Sequence, residues 1–194
     1  PQVLPDVLPE VAPVVTADKL VVSIAAGKPT AYYEAQLTDG VPVVRVMPNI
    51  AARVGASASA VCGGKNAQEA HLELVRAMFR TVGAVYDLPE KHFPAFGALG
   101  GASGAFVFLY IDALASAGVK AGLPRALAQQ IAEQTVLGSA HLSQQSAEHP
   151  IALMDQVCSP GGTTIEGILS LQASGFETAL ADAFDAVLEK NERL

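Results

Sequence analysis

The chain has 194 residues, of which 51% are hydrophobic and only 16% are charged, and its formal net charge is −7. This length allows one large domain or two small ones with a substantial core, while the charged fraction lies well below the roughly 25% of typical soluble domains. The 12 basic residues are scattered along an acidic chain, which argues against a nucleic-acid partner because such proteins need clustered Lys and Arg.

The N-terminal half has the alternating pattern of an α/β domain. A short, proline-interrupted helix is predicted over residues 2–11 and a longer helix over 66–82. Runs rich in β-branched residues are typical of buried parallel strands. They predict strands at Leu20–Gly27, Val41–Asn49, Ala58–Cys62 and Val82–Tyr86. We therefore expect a partial Rossmann-like parallel sheet.

From about residue 87 the pattern becomes helical. Helices are predicted over Ala105–Ala117, from Pro124 to Ser146 by the preference of proline for a first turn, in a short segment from Pro150, and over Gly175–Arg193. The fold class is thus α/β plus all-α. We expect residues 1–87 to belong to a Rossmann-like dinucleotide-binding domain and residues 88–194 to form a helical domain for dimerisation and substrate binding.

Residues Phe93–Ile111 carry no charge and are almost long enough to span a membrane. Pro94, Ser103 and a series of glycines are expected to interrupt any continuous helix there. A helix that is apolar on every side lies either in lipid or in a protein core, and here we favour the core. Aromatic residues make up 6% of the chain and tryptophan is absent, so the core must be aliphatic and rich in alanine. The low surface charge leaves apolar surface that another subunit can cover. We therefore predict a homodimer or higher homo-oligomer and no membrane.

The two cysteines, Cys62 and Cys158, lie far apart and belong to no metal-ligand spacing. We therefore expect two free thiols, no metal site and a reducing, cytoplasmic location. No signal peptide is recognisable at the start of the chain.

One short segment, Cys158–Ile165, is typical of a small-anion site. Gly161 and Gly162 let the backbone turn, and Thr163 and Thr164 follow where a helix begins. Such a turn directs successive N–H groups toward one point, which suits a carboxylate or a phosphate. The alternative is an ordinary helix start with Thr163 or Thr164 as the N-cap.

Several strings together resemble pyrroline-5-carboxylate reductases. They are Ser23–Gly27, Arg45–Asn49, Ala117–Arg125, Glu148-His149-Pro150 and Ser159–Thr164, and they occur in the family's order along essentially the whole chain. Departures from the family pattern occur at Gly100–Ala105, at Asn49-Ile50-Ala51, and at Gln156, where asparagine is common. The Gly-x-Gly-x-x-Gly dinucleotide turn of the family is not found, so the chain is expected to be the family without its first third, and to be inactive alone.

The resemblance implies NAD(P)H-dependent reduction of 1-pyrroline-5-carboxylate to L-proline, with NADP as cofactor and NAD also possible. It implies that a small-molecule substrate is held through its carboxylate by Ser159, Gly161, Gly162 and Thr163. Thr163 acts through its main chain, and the Thr164 hydroxyl, assigned as catalytic, faces the ring nitrogen or the carboxylate. Glu90 matches a glutamate near the substrate, where its charge favours a cationic ring. The alternative for Glu90 is a solvated acid that begins a helix.

The residues expected to contact the cofactor lie at strand ends, where open α/β sheets bind ligands. They are Ile24, Ala25, Ala26, Met47, Pro48 and Asn49, together with Gln156. The alternative for all of these is plain packing. Two other functions remain open: a non-catalytic module for dimerisation and carboxylate binding, and, less favoured, a hydroxyacid dehydrogenase with Lys120 as its catalytic lysine.

Overall fold

The structure, a computed structural model, describes residues 1–191. Within them lie two compact units: a sheet unit, formed by Pro1–Gly104 and the chain from Ala186 onward, and a helical unit, Ala105–Asp185. The predicted division into residues 1–87 and 88–194 rests on the change from an alternating to a helical sequence pattern, and it stays a prediction.

The sheet unit contains a four-stranded sheet in the order β1-β2-β3-β4. The strands are β1 Val21–Ser23, β2 Val43–Met47, β3 Ser57–Gly63 and β4 Gly83–Asp87. β1 runs parallel to β2, and β3 runs parallel to β4. All four predicted strands are therefore present, although β1 and β2 are shorter than predicted.

The expectation that the whole sheet is parallel was wrong, because β3 runs antiparallel to β2. Only residues 48–56 connect these strands, and a parallel neighbour needs a crossover of roughly a dozen residues or more. The connection is a 3-10 turn, Ile50–Val54, that ends at Gly55 with φ of 72°. This left-handed conformation lets the chain reverse into the neighbouring strand.

The core of the sheet unit covers both faces of β2. Val43 packs with Leu8, Tyr33 and Leu37, which belong to or follow α1 (Leu4–Val11) and α2 (Thr30–Glu34). On the other face, Val44 and Val46 pack with Val61 and with Val75 of α3 (Glu69–Arg80). Because side chains alternate along a strand, Arg45 and Met47 share the face of Val43.

A continuous helical stretch follows β4, contrary to the predicted interruption. A 3-10 turn, Glu90–His92, leads into α4 (Phe93–Phe96), a π-helical segment (Gly97–Ala102) and α5 (Ser103–Lys120). Pro94 lies in the first turn of α4, where its missing N–H has no intrahelical partner to lose. The glycines are accommodated by the wider π-helical turn rather than breaking the helix.

The remaining helices agree closely with the predictions. They are α6 Arg125–Gln145, α7 Pro150–Val157, α8 Thr163–Ala173 and α9 Phe176–Asn191; the predicted extension of the last helix to Arg193 falls outside the described residues. In the helical unit, Ala115, Ala128 and Ala132 form a small buried cluster with Ile111 and Val119 packed against it.

Large apolar side chains of the helical unit remain exposed within the single chain. Phe108 is 62% exposed and Leu109 is 71% exposed. By length and composition, Glu90–Lys120 is apolar enough to cross a membrane, with a mean hydropathy of 1.5, and 11% of its most apolar window is buried. This stretch is therefore not covered by the core of its own chain, and the same composition also suits an interface between subunits.

An ion-pair network joins α3 to the end of β4. Arg76 donates to Glu69 at 2.6 Å, to Asp87 at 2.8 Å and to Glu73 at 3.3 Å. The guanidinium groups of Arg80 and then Arg76 hold the pKa of Glu73 below its ordinary value of 4.5.

Arg76→Met removes these ion pairs and should therefore lower the free energy of unfolding. The loss should be only about 1 kcal/mol, because the carboxylates are exposed and screened by solvent. A carboxyl group with a lowered pKa stabilises the fold above its unfolded-state pKa, and this contribution is lost as it protonates. The difference between the wild type and the variant, measured by urea unfolding, should therefore shrink as the pH falls below 4.5. Arg53→Met is the control, because Arg53 makes no ion pair within residues 1–191; equal losses in both variants would contradict the role of the network.

Candidate functional site

The sheet unit contains a pocket of about 680 Å³ at the ends of β1 and β2. Four chain segments line it: the turn after β1, the end of β2, the helical stretch after β4 and the last turn of α9. In chain order the lining residues are Ala26, Gly27, Pro29, Arg45, Met47, Pro48, Glu90, Lys91, Phe93, Pro94, Gly97, Gly101, Ala102, Val187 and Asn191.

The pocket brings together four residues that the sequence assigned to ligands. Ala26, Met47 and Pro48 were assigned to the cofactor and Glu90 to the substrate, and all four line the pocket. The other strand-end candidates are close in sequence but are not among its lining residues: Ile24, Ala25 and Asn49.

Glycine, alanine and proline occupy about half of the wall positions of the pocket, and Arg45, Glu90 and Lys91 are its charged residues. A Cβ at Gly97 would lie 3.4 Å from the Met47 sulfur, while one at Gly101 would meet no atom of residues 1–191 within 4 Å. Glycine at these two positions therefore keeps open the space between the π-helical segment and the end of β2. A concave, largely apolar space with a few polar side chains is typical of sites for small molecules and cofactors.

Asn49 ties the end of β2 to the π-helical segment. Its side-chain amide donates to the Gly100 carbonyl at 2.7 Å, and its Oδ1 accepts from the Ala51 N–H at 3.0 Å. Its own backbone N–H donates to the Ser57 hydroxyl at 3.2 Å. Asn49 thus connects the end of β2 to the 3-10 turn, to β3 and to the π-helical segment.

A buried hydrogen bond supports the turn after β1. The Ser23 hydroxyl donates to the Tyr33 hydroxyl at 2.5 Å and accepts from the Ala25 N–H at 3.3 Å. Tyr33 is 2% exposed. The core of the sheet unit therefore holds the start of the turn that continues to Ala26 and Gly27 at the pocket.

The carboxylate of Glu90 is occupied by two other segments. Its Oε1 accepts from the Thr30 N–H at 2.8 Å and from the Arg45 guanidinium at 3.0 Å. Its Oε2 accepts from the Thr30 hydroxyl at 2.9 Å. The Arg45 guanidinium also lies 4.5 Å from the centre of the Phe93 ring, a cation–π arrangement. Glu90 is therefore a partner of Arg45 and Thr30, and not a fully solvated acid.

Cys62 pairs with Arg45 across the β2–β3 ladder and is half-buried. Burial, and then the nearby charge of Glu90, raise the pKa of its thiol to about 12, against the opposing effect of Arg45. Because the thiolate is the reactive form of cysteine, Cys62 is a poor nucleophile. Cys62 and Cys158 are both free, as predicted.

The glycine-rich turn lies in the helical unit, between α7 and α8. Gly161 has a φ of 68°, in the left-handed region that favours glycine. The Gly162 N–H donates to the Ser159 carbonyl at 2.9 Å, and a Cβ at Gly162 would lie 2.4 Å from the Ser159 hydroxyl. The turn therefore needs both glycines, and the Gly162 amide, expected to face a ligand, is already used within it.

The first turn of α8 provides the backbone donors. Its N-cap is Gly162, not Thr163 or Thr164 as the alternative held, and no side chain caps it. The first N–H groups of an α-helix have no intrahelical partner, so Thr163 and Thr164 present amides at an uncapped N-terminus. Both threonines are exposed.

Gln156 also lies in the helical unit, in the last turn of α7. Its side-chain amide donates to the carboxylate of Glu148. His149, which follows Glu148, is the N-cap of α7 and accepts from the Ile151 N–H at 3.3 Å. His71 likewise forms a capping box with Gln68 at the start of α3.

Sequence reasoning missed Arg45 and Thr30 as residues of the pocket region. The signal for Arg45 was its position as the only charge in the apolar run Val41–Asn49, because a buried charge needs a partner. Thr30 gave no such signal, since α2 was not predicted.

The comparisons with known proteins agree with this architecture. A family model described as "Pyrroline-5-carboxylate reductase dimerisation" matches residues 90–194. The pyrroline-5-carboxylate reductase of Methanosarcina acetivorans is 42% identical over 194 residues, which are 100% of this chain and 72% of that protein. The chain belongs to the pyrroline-5-carboxylate reductase family. The Glycine max member is also 42% identical, over 195 residues and 70% of its length.

Solved structures of family members confirm the fold class. Pyrroline-5-carboxylate reductase from Streptococcus pyogenes superposes with a TM-score of 0.90 at 36% identity, covering 100% of this chain and 73% of that one. The Plasmodium falciparum enzyme, solved with NADP bound, gives a TM-score of 0.91 at 31% identity over 99% of this chain and 77% of that one. This chain thus has a partial Rossmann-like sheet followed by helices, in agreement with the part of those structures that it covers.

Proposed function

We propose that the full-length protein reduces 1-pyrroline-5-carboxylate to L-proline with NAD(P)H. Membership of the reductase family supports the reaction class. In this proposal the chain provides three parts: a turn that binds the substrate carboxylate, a pocket for the nicotinamide end of the cofactor, and helices that form a homodimer or a higher homo-oligomer.

The observation that carries the proposal is the uncapped first turn of α8 after Gly161 and Gly162. The amides of Thr163 and Thr164 bind the substrate carboxylate there, because an anion is favoured at a helix N-terminus and needs no cationic side chain. Ser159 stabilises the turn through its contact with Gly162. The Thr164 hydroxyl orients the ring nitrogen or the carboxylate.

The pocket at Ala26, Met47 and Pro48 holds the nicotinamide end of the cofactor, and the glycine and alanine positions of its wall let the ring approach the backbone. The bound cofactor supplies the hydride that reduces the imine carbon. The NADP-bound structure of the P. falciparum enzyme supports NADP, with NAD also possible. Ile24, Ala25, Asn49 and Gln156 are further candidates for cofactor contact. The two free thiols fit a reducing cytoplasm.

Self-association follows from the exposed apolar helices and from the match to a dimerisation family model. The buried cluster of three alanines in the helical unit is small. Exposed phenylalanine and leucine side chains on α5 are available to bury against the same surface of a second copy.

The test is imine-dependent oxidation of NADPH by the full-length protein and by its Thr164→Ala variant. We expect Thr164→Ala to lower kcat/KM for the imine by roughly 10- to 100-fold, the equivalent of one lost hydrogen bond to a charged group. The Kd for NADPH should stay within about twofold, because the hydroxyl belongs to the substrate site.

Thr163→Ala is the matched variant, one residue away on the same helical turn. It should reduce kcat/KM much less, because Thr163 acts through its main chain. Equal effects of the two substitutions on kcat/KM would contradict a role of the Thr164 hydroxyl in substrate binding. A wild-type protein that binds proline or the imine but oxidises no NADPH would instead favour the non-catalytic, carboxylate-binding module.

A further inference from the structure

We propose that Glu90 is a positioning residue of the nicotinamide pocket, which joins three of its wall segments and does not contact the substrate ring. This inference rests on the proposed function, because it takes the pocket as the site of the nicotinamide. It differs from the role that the family resemblance implied for Glu90.

The first support is the number of donors on the carboxylate. Both oxygens of Glu90 accept hydrogen bonds from the protein, three in total, at 2.8, 2.9 and 3.0 Å. One of the donors is a guanidinium, so the negative charge is balanced within the protein. A carboxylate neutralised in this way has little charge left to favour a cationic substrate.

The second support is where the partners lie in the chain. Thr30 begins α2 directly after Pro29, which lines the pocket. Arg45 lies two residues before Met47, and Glu90 itself precedes Phe93. The turn after β1, the strand β2 and the helical stretch after β4 each form one wall of the pocket. Glu90 lies on the helical stretch after β4, and its carboxylate accepts hydrogen bonds from the other two walls, through Thr30 and Arg45.

The third support is the burial of Arg45. Its side chain is 8% exposed, whereas that of Glu90 is 29% exposed. The guanidinium is held between Glu90 and the face of Phe93. Without the carboxylate, a nearly buried cation would lack its counter-charge, and it would have to move toward solvent. Since Arg45 lines the pocket, such a movement changes the pocket's shape.

The test uses the full-length protein and compares Glu90→Gln, Thr30→Val and the double variant. Cofactor affinity is measured by NADPH fluorescence titration without imine, and steady-state kinetics give kcat and the KM for each substrate. We expect Glu90→Gln to weaken NADPH binding roughly tenfold and Thr30→Val about threefold, with kcat and the imine KM within twofold. The double variant should be no worse than Glu90→Gln, because both changes break the same contact.

Thr30→Val is nearly isosteric and removes only the hydroxyl donor, so it remains informative if Glu90→Gln fails to fold. Glu73→Gln is the control: it removes a carboxylate from the exposed pair with Arg80, and it should leave NADPH binding unchanged. A merely structural role for Glu90 would lower thermal stability without separating the cofactor KM from the imine KM.

Two results would overturn the positioning role. In the first, Glu90→Gln raises the imine KM or lowers kcat and leaves the Kd for NADPH unchanged, and Thr30→Val changes none of these values. This pattern indicates direct contact between Glu90 and the substrate. The other is a wild-type protein that binds no NADPH. A wild type that binds NADPH but does not reduce the imine would refute the proposed function alone, and the titrations would still decide the role of Glu90.

Discussion

Leu109→Glu is expected to dissociate the proposed oligomer into monomers. Leu109 lies on α5 and is 71% exposed in the single chain, beside Phe108 at 62%. Full burial of a leucine contributes about 2 kcal/mol, and a two-fold interface contains each residue twice. The loss of about 4 kcal/mol raises the dimer Kd by roughly three orders of magnitude, before the cost of burying two carboxylates is added.

Sedimentation equilibrium of the full-length protein over a range of concentrations measures this change. Leu74→Glu is the matched control, because Leu74 is a leucine on α3 of the sheet unit and is 56% exposed. It should leave the oligomeric state unchanged. If Leu109→Glu sediments as the wild type does, α5 is not part of the subunit interface.

Dissociation should also lower the stability of the helical unit. Its described core cluster contains Ala115, Ala128 and Ala132, which bury little apolar area. In the proposed oligomer, further apolar surface of this unit is buried against a second copy. We therefore expect the melting temperature of the wild type, but not that of Leu109→Glu, to rise with protein concentration.

Gly83→Ala is expected to destabilise the fold by roughly 3 kcal/mol or more. Gly83 begins β4 with a φ of 148°, a conformation that side chains rarely adopt. A Cβ there would lie 2.1 Å from the carbonyl oxygen of Ser57 and 2.3 Å from its nitrogen. Because both clashes involve the backbone of β3, the strands would have to separate at this point.

The matched control is Gly55→Ala, which makes the same substitution at a positive φ of 72°. A Cβ at Gly55 meets no atom of the described part of the chain within 4 Å, so its cost is limited to about 1–2 kcal/mol for the left-handed conformation. Urea unfolding of the two variants measures the difference. Equal losses would show that the contact with Ser57 is relieved without cost.

The Gly83 substitution should also weaken cofactor binding in the pocket. The Ser57 hydroxyl accepts from the Asn49 N–H, and Asn49 in turn holds Gly100 of the π-helical segment. A displaced Ser57 therefore weakens the contact that fixes the end of β2. We expect the Gly83→Ala protein that remains folded to bind NADPH more weakly than the Gly55→Ala protein.

Much of the fold was predictable because its signals are local. Runs of β-branched residues located the four strands, and Pro124, Pro150 and the glycine-rich turn located helix starts. The glycines at 97, 100, 101 and 104 misled the prediction of α5, because a π-helical turn accommodates glycine without ending the helix.

The candidate site was predictable only in part. Ala26, Met47 and Pro48 line the pocket because the carboxyl ends of neighbouring parallel strands meet at one edge of a sheet. The partners of Glu90 were not foreseen, since Thr30 is 60 residues away from it and Arg45 is 45 residues away. Nothing in a local pattern specifies which distant donor a carboxylate meets.

The amino-acid sequence alone was sufficient to predict the family, most helices and strands, and the glycine-rich turn before α8. Backbone preferences and side-chain periodicity act over a few residues, so they can be recognised locally. The tertiary structure alone established the antiparallel direction of β3, the neutral Arg45–Glu90 pair and the exposure of Leu109. These features depend on packing between segments far apart in the chain. Such packing determines which apolar surface is buried and which buried charges are paired.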